Sequence, residues 1–146
     1  MIGLIQRVSV AQVEVNQQPI GKINQGILLL LGVQREDTKQ QADKLLHKVI
    51  NYRIFEDTDG KMNQSLLNIS GELLVVPQFT LPADTHKGMR PSFTPAAPPA
   101  LGLELYDYFV EQAERAIETS VQTGKFGADM QVSLINDGPV TFWLET

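Results

Sequence analysis

The chain has 146 residues, of which 42% are apolar and 20% charged, with a net charge of −5. That is the length and composition of one globular domain, expected over residues 1–146, and no apolar run approaches the roughly 20 residues that cross a bilayer. The absence of cysteine excludes disulfides, thiolate chemistry and Cys-based zinc sites, and the acidic balance argues against a broad electrostatic grip on nucleic acid, which rests on Lys and Arg.

The N-terminal stretch MIGLIQRV has no basic segment leading into an apolar core and cleavage site, so no secretory signal is expected and a cytoplasmic location fits. LIQRVSVAQVEV alternates. Val8 and Val10 share one face, as do Val13 and Val15, but a step of three separates the pairs. That slip predicts a β-bulge near Ala11–Gln12. QQPIGKI reads as a turn, and GILLLLGV as a strand buried on both faces.

The period then changes. Ala42, Leu45, Leu46, Val49 and Ile50 recur at helical spacing, and Thr38 with Gln41 fits a capping box at the start of that helix. RIFEDTDGKMN follows as a short strand, a turn at Asp59–Gly60 and a return. GELLVVPQFTL is a strand with a polar end. From Pro82 to about Pro99 the chain is irregular and carries five prolines, a length that in a compact domain points to function or to covering something. A second helix places Leu105, Tyr106, Phe109, Val110, Ala113, Ala116 and Ile117 inward. After the Gly-rich TGKFGADM, two strands, MQVSLIN and VTFWLE, bracket the hexapeptide NDGPVT. The order ββ–α–βββ–α–ββ predicts an α+β fold: mainly antiparallel sheets or barrel-like layers, with two helices packed on one side.

Familiar catalytic equipment is missing. His47 and His86 stand far apart with no HExxH-like pattern, and there is no G-x-S-x-G elbow, no GxxxxGK[ST] loop and no GxGxxG. No metal or cofactor is expected. Three polar islands remain: PQFTL from Pro77 to Leu81, KGMRPSF from Lys87 to Phe93, and NDGPVT from Asn136 to Thr141. A strand ending in Gln78-Phe79-Thr80 can bring backbone N–H groups and a hydroxyl to a cleft, where such donors stabilise an oxyanion without a titratable group. From spacing alone the plainer reading leads, with Thr80 an ordinary strand former and Gln78 a solvated edge residue. A nucleophilic Thr80 would need an adjacent base, and only His86 is near in sequence. Arg7, inside an apolar strand, reads by default as a surface residue; the functional alternative is a fixed donor that holds a backbone carbonyl. Asp137-Gly138 reads as a hairpin turn, yet Pro139 removes an N–H where a returning strand would begin to donate. A trans Gly138–Pro139 bond is the default, since only about 5–6% of X–Pro bonds in folded proteins are cis.

Taken together, QRV, RIFED..GKMN, VV.QFTL, KG.RPSF, LY..FV and TG.FGADMQVSL.NDGPVT resemble the D-aminoacyl-tRNA deacylase (D-tyrosyl-tRNA(Tyr) deacylase) family along essentially the whole chain. The resemblance implies a homodimer with active sites at the subunit interface. It implies hydrolysis of the ester joining a D-amino acid, or mischarged glycine, to the terminal ribose of tRNA, with the terminal 2′-hydroxyl assisting. Gln78, Phe79 and Thr80 would line the reaction centre, Phe79 acting through its backbone N–H. Gly138 and Pro139, joined by a cis bond, would reach into the partner's site and reject L-amino acids. Met130 would wall the pocket, and Arg7 would hold the glycine-proline loop. Lys87 and Arg90 are the candidates for the tRNA acceptor end. The family usually has serine before QFT; this chain has Pro77, which lacks the N–H and the hydroxyl. Two other readings stand beside it: a non-catalytic nucleic-acid-binding relative of the same fold, and a hydrolase of free D-amino-acid esters.

Overall fold

The computed structural model describes residues 1–146. In chain order the elements are β1 (Ile2–Val15), β2 (Gln18–Ile23), β3 (Gly26–Gly32), α1 (Lys39–Asn51), β4 (Phe55–Glu56), β5 (Met62–Gln64), β6 (Glu72–Pro77), α2 (Pro99–Ala116), β7 (Val121–Thr123) and β8 (Gln131–Glu145).

β1 organises the sheet. It pairs antiparallel with β2 over Ala11–Val15 and with β3 over Ile2–Val8, and it pairs antiparallel with β8. The register Ala11↔Ile23 continues into Val8↔Gly26, so β2 and β3 form one return path along β1. The expected turn over QQPIGKI is therefore a strand. Reversal happens one step earlier, at Asn16 and Gln17, with φ of 50° and 62°. Positive φ at both central positions matches the twist of a two-residue hairpin. The exposed polar residues of β2 hid its strand character.

The slip in β1 is real but lies elsewhere than Ala11–Gln12. Register breaks occur between Gln6 and Val8 and between Val8 and Val10 against β8, and between Val13 and Glu14 against β2. Ile5 accordingly packs in one core, while Val8, Ala11 and Val13 pack in another.

Two ladders are parallel: β3 with β6, and β6 with β7. Parallel neighbours need a long crossover, and α1 and α2 lie within those two connections. The remaining pairings, including the small β4–β5 ribbon, are antiparallel. β2 also lies against β6 and β7, so the sheet curls into a nearly closed barrel. The barrel encloses Val8, Ala11, Val13, Ile23, Leu28, Leu74 and Val76.

The larger core lies between the sheet and the two helices, which pack on each other. α1 buries Ala42, Leu45, Leu46, Val49 and Ile50, and its start carries the Thr38–Gln41 capping box, a device worth about 1 kcal/mol. α2 buries Leu105, Tyr106, Phe109 and Ala113, with Ile117 just beyond its end. Val110 is only half-buried and Ala116 is exposed, because the last turn of α2 runs past the edge of the core. Asp59–Gly60 makes the expected turn between β4 and β5, with Gly60 at φ 74°. No helix is long and apolar enough to cross a membrane.

MQVSLIN and VTFWLE do not form a hairpin. Both pair antiparallel with β1 and run in the same direction, as two halves of β8. NDGPVT interrupts that strand without reversing it. A short strand ahead of TGKFGADM, β7, escaped the sequence reading because three half-buried residues carry too little periodicity.

Candidate active site

The floor of the site is set by the C-terminal end of β6. Pro77 is the last residue of its parallel ladder, opposite Leu31 of β3. The Gln78 N–H extends the ladder by donating to the Leu31 carbonyl at 2.8 Å. Beyond that point the chain turns, with Leu81 N–H donating to Gln78 O and Ala83 N–H to Thr80 O. The N–H groups of Phe79 and Thr80 donate to no acceptor in the protein. The strand thus ends in two adjacent, uncommitted backbone donors. Gln78 Nε2 donates to Thr80 Oγ1 at 2.6 Å. No histidine or carboxylate reaches that hydroxyl.

A cavity of ≈ 470 Å³ opens beside this turn and is lined by Pro77, Gln78, Phe79, Tyr106, Phe126 and Met130 among others. Its walls are mostly apolar, with few polar groups, the usual make-up of a small-ligand site. Met130 is held from two sides. Its Sδ accepts the Lys125 N–H at 3.3 Å, and it rests on Gly124, where a Cβ would approach that sulfur to 2.8 Å and Pro77 Cδ to 3.1 Å. Glycine at 124 is required by that close approach. Tyr106 sits beneath. Its hydroxyl donates to Val75 O at 3.0 Å, the carbonyl that also accepts the Gly124 N–H, so it ties β6 to β7 under the cavity. Burial, reinforced by the charge of Asp107, pushes the Tyr106 phenol above its ordinary range, so it stays protonated and remains a donor.

Phe79 is 62% exposed, and its ring tilts against Phe93 at 5.3 Å between centroids. Phe93 comes from the long irregular segment, which closes on itself where Asp84 and Ser92 exchange backbone hydrogen bonds. Lys87 and Arg90 sit exposed at the tip of that excursion and form no ion pair. His86 lies on the same excursion, with its N–H donating to Asp84 Oδ1 rather than its ring meeting Thr80.

The second half of the predicted site is elsewhere. β8 pairs Asn136 with Val8 and Thr141 with Gln6, so five steps of β8 span two steps of β1 and three residues are extruded. The Gly138–Pro139 bond at the crest is cis, and Gly138 has φ 132°. A Cβ there would lie 2.7 Å from Val140 Cγ2 and 3.1 Å from an Arg7 guanidinium nitrogen, so both backbone and space demand glycine. Arg7 is not the surface residue that its strand position suggests. It is 7% exposed, with Nε donating to Asp137 O at 3.0 Å and Nη1 to Ile54 O at 2.7 Å. Asp137 Oδ2 lies 3.4 Å from Nε and offsets the charge.

Gln78, Phe79 and Met130 therefore share one cavity with Thr80 beside it, and Arg7 shares the extruded loop with Gly138 and Pro139. Gly138 and Pro139 do not line the cavity of their own chain. Asn136 and Thr141, which bracket the extruded residues, carry no role in the sequence expectations; two hydrogen-bonding side chains five apart around a Gly-Pro pair are the available signal. Tyr106, expected only as a core residue, also lines the cavity.

The family model described as D-Tyr-tRNA(Tyr) deacylase matches residues 4–145 of the chain. Over 142 residues the chain is 65% identical to the D-aminoacyl-tRNA deacylase of Pseudoalteromonas translucida (strain TAC 125), covering 97% of each. It is 61% identical over 144 residues to that of Haemophilus influenzae (strain PittEE), covering 99% of each. Among solved structures, a c-Myc DNA Unwinding Element Binding Protein superposes with a TM-score of 0.96 at 40% identity, over 100% of this chain and 99% of that one. A probable eukaryotic D-amino acid tRNA deacylase superposes at 0.87 with 17% identity, over 99% and 98%, a likeness of fold.

Proposed function

Since the chain belongs to the D-Tyr-tRNA(Tyr) deacylase family, we propose that it is an enzyme that hydrolyses the ester of D-aminoacyl-tRNA, releasing the D-amino acid and free tRNA. The relatives that carry this activity in their names are 60–65% identical over nearly the full chain. The observation that carries the mechanism is the pair of uncommitted N–H donors at Phe79 and Thr80, beside an apolar cavity that offers no base.

An aminoacyl ester is already activated, so orientation and an oxyanion site suffice. Water adds to the ester carbonyl. Phe79 N–H stabilises the oxyanion that forms. The bond to the terminal ribose oxygen then breaks, with that oxygen leaving as the 3′-hydroxyl. The substrate's own 2′-hydroxyl assists the proton transfers, which accounts for a site without a titratable catalyst. Gln78 holds the Thr80 hydroxyl, and Met130 walls the pocket. Glycine mischarged onto tRNA is also a substrate, since it has no side chain to reject.

The filter is the crest of the β8 loop. A site that takes many D-side chains must read the substituents on Cα, and a fixed backbone does so by binding the amino group and blocking the L direction. Because Gly138 and Pro139 lie outside the cavity of their own chain, they act in the site of a second copy. A homodimer provides that arrangement. β8 pairs with β1 alone and exposes Ile135, Phe142 and Trp143, an apolar surface suited to a partner. Lys87 and Arg90 meet the acceptor end of tRNA, a contact small enough to agree with the acidic net charge. The chain works as one domain in the cytoplasm, where charged tRNA is found.

Incubation of the purified protein with D-tyrosyl-tRNA tests the reading: release of D-tyrosine supports it, and an intact ester contradicts it. The name of the 40%-identical structure raises a second reading, a nucleic-acid-binding protein without turnover. Stoichiometric RNA or DNA binding with no ester cleavage would favour that reading.

A further inference from the structure

The extruded residues of β8 need something to hold their neck, because the ladder with β1 is broken between Val8↔Asn136 and Gln6↔Thr141. Side chains supply it. The Val140 N–H donates to Asn136 Oδ1 at 3.0 Å, and Asn136 Nδ2 donates to Thr141 Oγ1 at 2.9 Å. Gln6 Nε2 of β1 donates to the same hydroxyl at 3.3 Å. One asparagine amide thus spans the neck with both of its ends, and one threonine hydroxyl fastens the bridge to the neighbouring strand. Arg7 Nε holds the other foot of the loop through Asp137 O.

We propose that Asn136 and Thr141 are positioning residues for the enantiomer filter: their bridge fixes how far and at what angle Gly138–Pro139 projects, and so sets discrimination between D- and L-aminoacyl esters. The proposal rests on the deacylase reading above. The chemistry fits the residue types. The Asn136 amide offers an acceptor and a donor from one planar group, and the Thr141 hydroxyl has the lone pairs to accept from both Asn136 and Gln6. Thr141 is exposed in the single chain. Neither Thr141 nor Asn136 belongs to either apolar core, so losing the bridge changes global stability little. Selectivity is more sensitive, because a filter made of backbone works only at a fixed distance.

The test uses Asn136→Ala, Thr141→Val and Thr141→Ser in the full chain, with three readouts: the ratio of D- to L-tyrosyl-tRNA hydrolysis, the melting temperature, and exchange of the Val140 amide. Thr141→Val keeps the shape and deletes the hydroxyl; Thr141→Ser keeps the hydroxyl. Asn136→Ala and Thr141→Val are expected to lower the D/L ratio about tenfold, the weight of one or two hydrogen bonds. Thr141→Val should melt close to the parent, and Thr141→Ser should return the ratio to near the parent value. Val140 exchange should rise in Asn136→Ala. A parent-like D/L ratio in both variants, with Val140 exchange raised, overturns the proposal. Were the parent to hydrolyse neither ester, the deacylase reading would fail instead, and unchanged Val140 exchange in Asn136→Ala would then overturn the bridge on its own.

Discussion

Arg7 Nε donates to the carbonyl of Asp137 at 3.0 Å, across the break in the β1–β8 ladder, while Nη1 of the same side chain donates to Ile54 O at 2.7 Å. One buried guanidinium thereby joins the extruded loop to the entry of β4. Arg7→Ala is expected to cost about 3 kcal/mol or more, as hydrogen bonds from a charged donor are worth roughly 1.5–3 kcal/mol each and two carbonyls lose theirs. It should also lower the D/L ratio. Arg7→Lys keeps the charge but reaches one carbonyl at most. Denaturant melts and hydrolysis of the two enantiomers check both expectations.

Gly138→Ala meets both obstacles at the crest, the φ of 132° and the 2.7 Å approach to Val140 Cγ2. The loop has to rearrange to admit a Cβ. D-tyrosyl-tRNA hydrolysis should fall about tenfold or more, while far-ultraviolet circular dichroism stays unchanged, because the ladder on either side is intact. Full activity in this variant would remove the loop from the mechanism.

Pro77→Ser restores an N–H and adds a hydroxyl at the cavity wall. In this account the oxyanion is met by Phe79 N–H, and residue 77 only shapes the wall. The kcat of Pro77→Ser should therefore stay within about twofold of the parent, the span of roughly 0.5 kcal/mol. A much larger rise would mean that a group at position 77 takes part in the chemistry.

The substrate should matter more than any side chain of the site. D-tyrosyl-tRNA with a 2′-deoxy terminal adenosine is expected to react about a hundredfold slower or worse, the usual scale of general acid–base assistance. Thr80→Val, by contrast, should retain most of kcat, because no base reaches the Thr80 hydroxyl, whose observed partner is the Gln78 amide. Equal rates for the deoxy and ribose substrates would overturn substrate assistance.

What was legible in the sequence follows from period and chemistry. α1 and its capping box were readable because five apolar residues recur at helical spacing behind a Thr–x–x–Gln signal. β3 was readable as a run of leucines. The parallel ladders were not, since pairing direction depends on crossovers that leave no local pattern. β2 was hidden by exposed Gln18, Pro19 and Lys22, and NDGPVT mimicked a hairpin because Asp-Gly carries the same local signal whether or not the chain reverses. Gln78, Phe79, Thr80, Gly138 and Pro139 stand out in the sequence as members of polar islands between apolar runs, and the resemblance supplies the roles expected of them. Their placement in two separate regions of one chain, with Arg7 buried between strands, came only from the fold.

The most direct measurement is the rate of ester hydrolysis by the purified protein on D-tyrosyl-tRNA and L-tyrosyl-tRNA side by side, repeated with Pro139→Ala. The D-ester is expected to be cleaved and the L-ester to survive, and the substitution is expected to narrow or abolish the difference. Equal survival of both esters with the parent protein, or an unchanged rate and ratio in Pro139→Ala, would contradict that expectation.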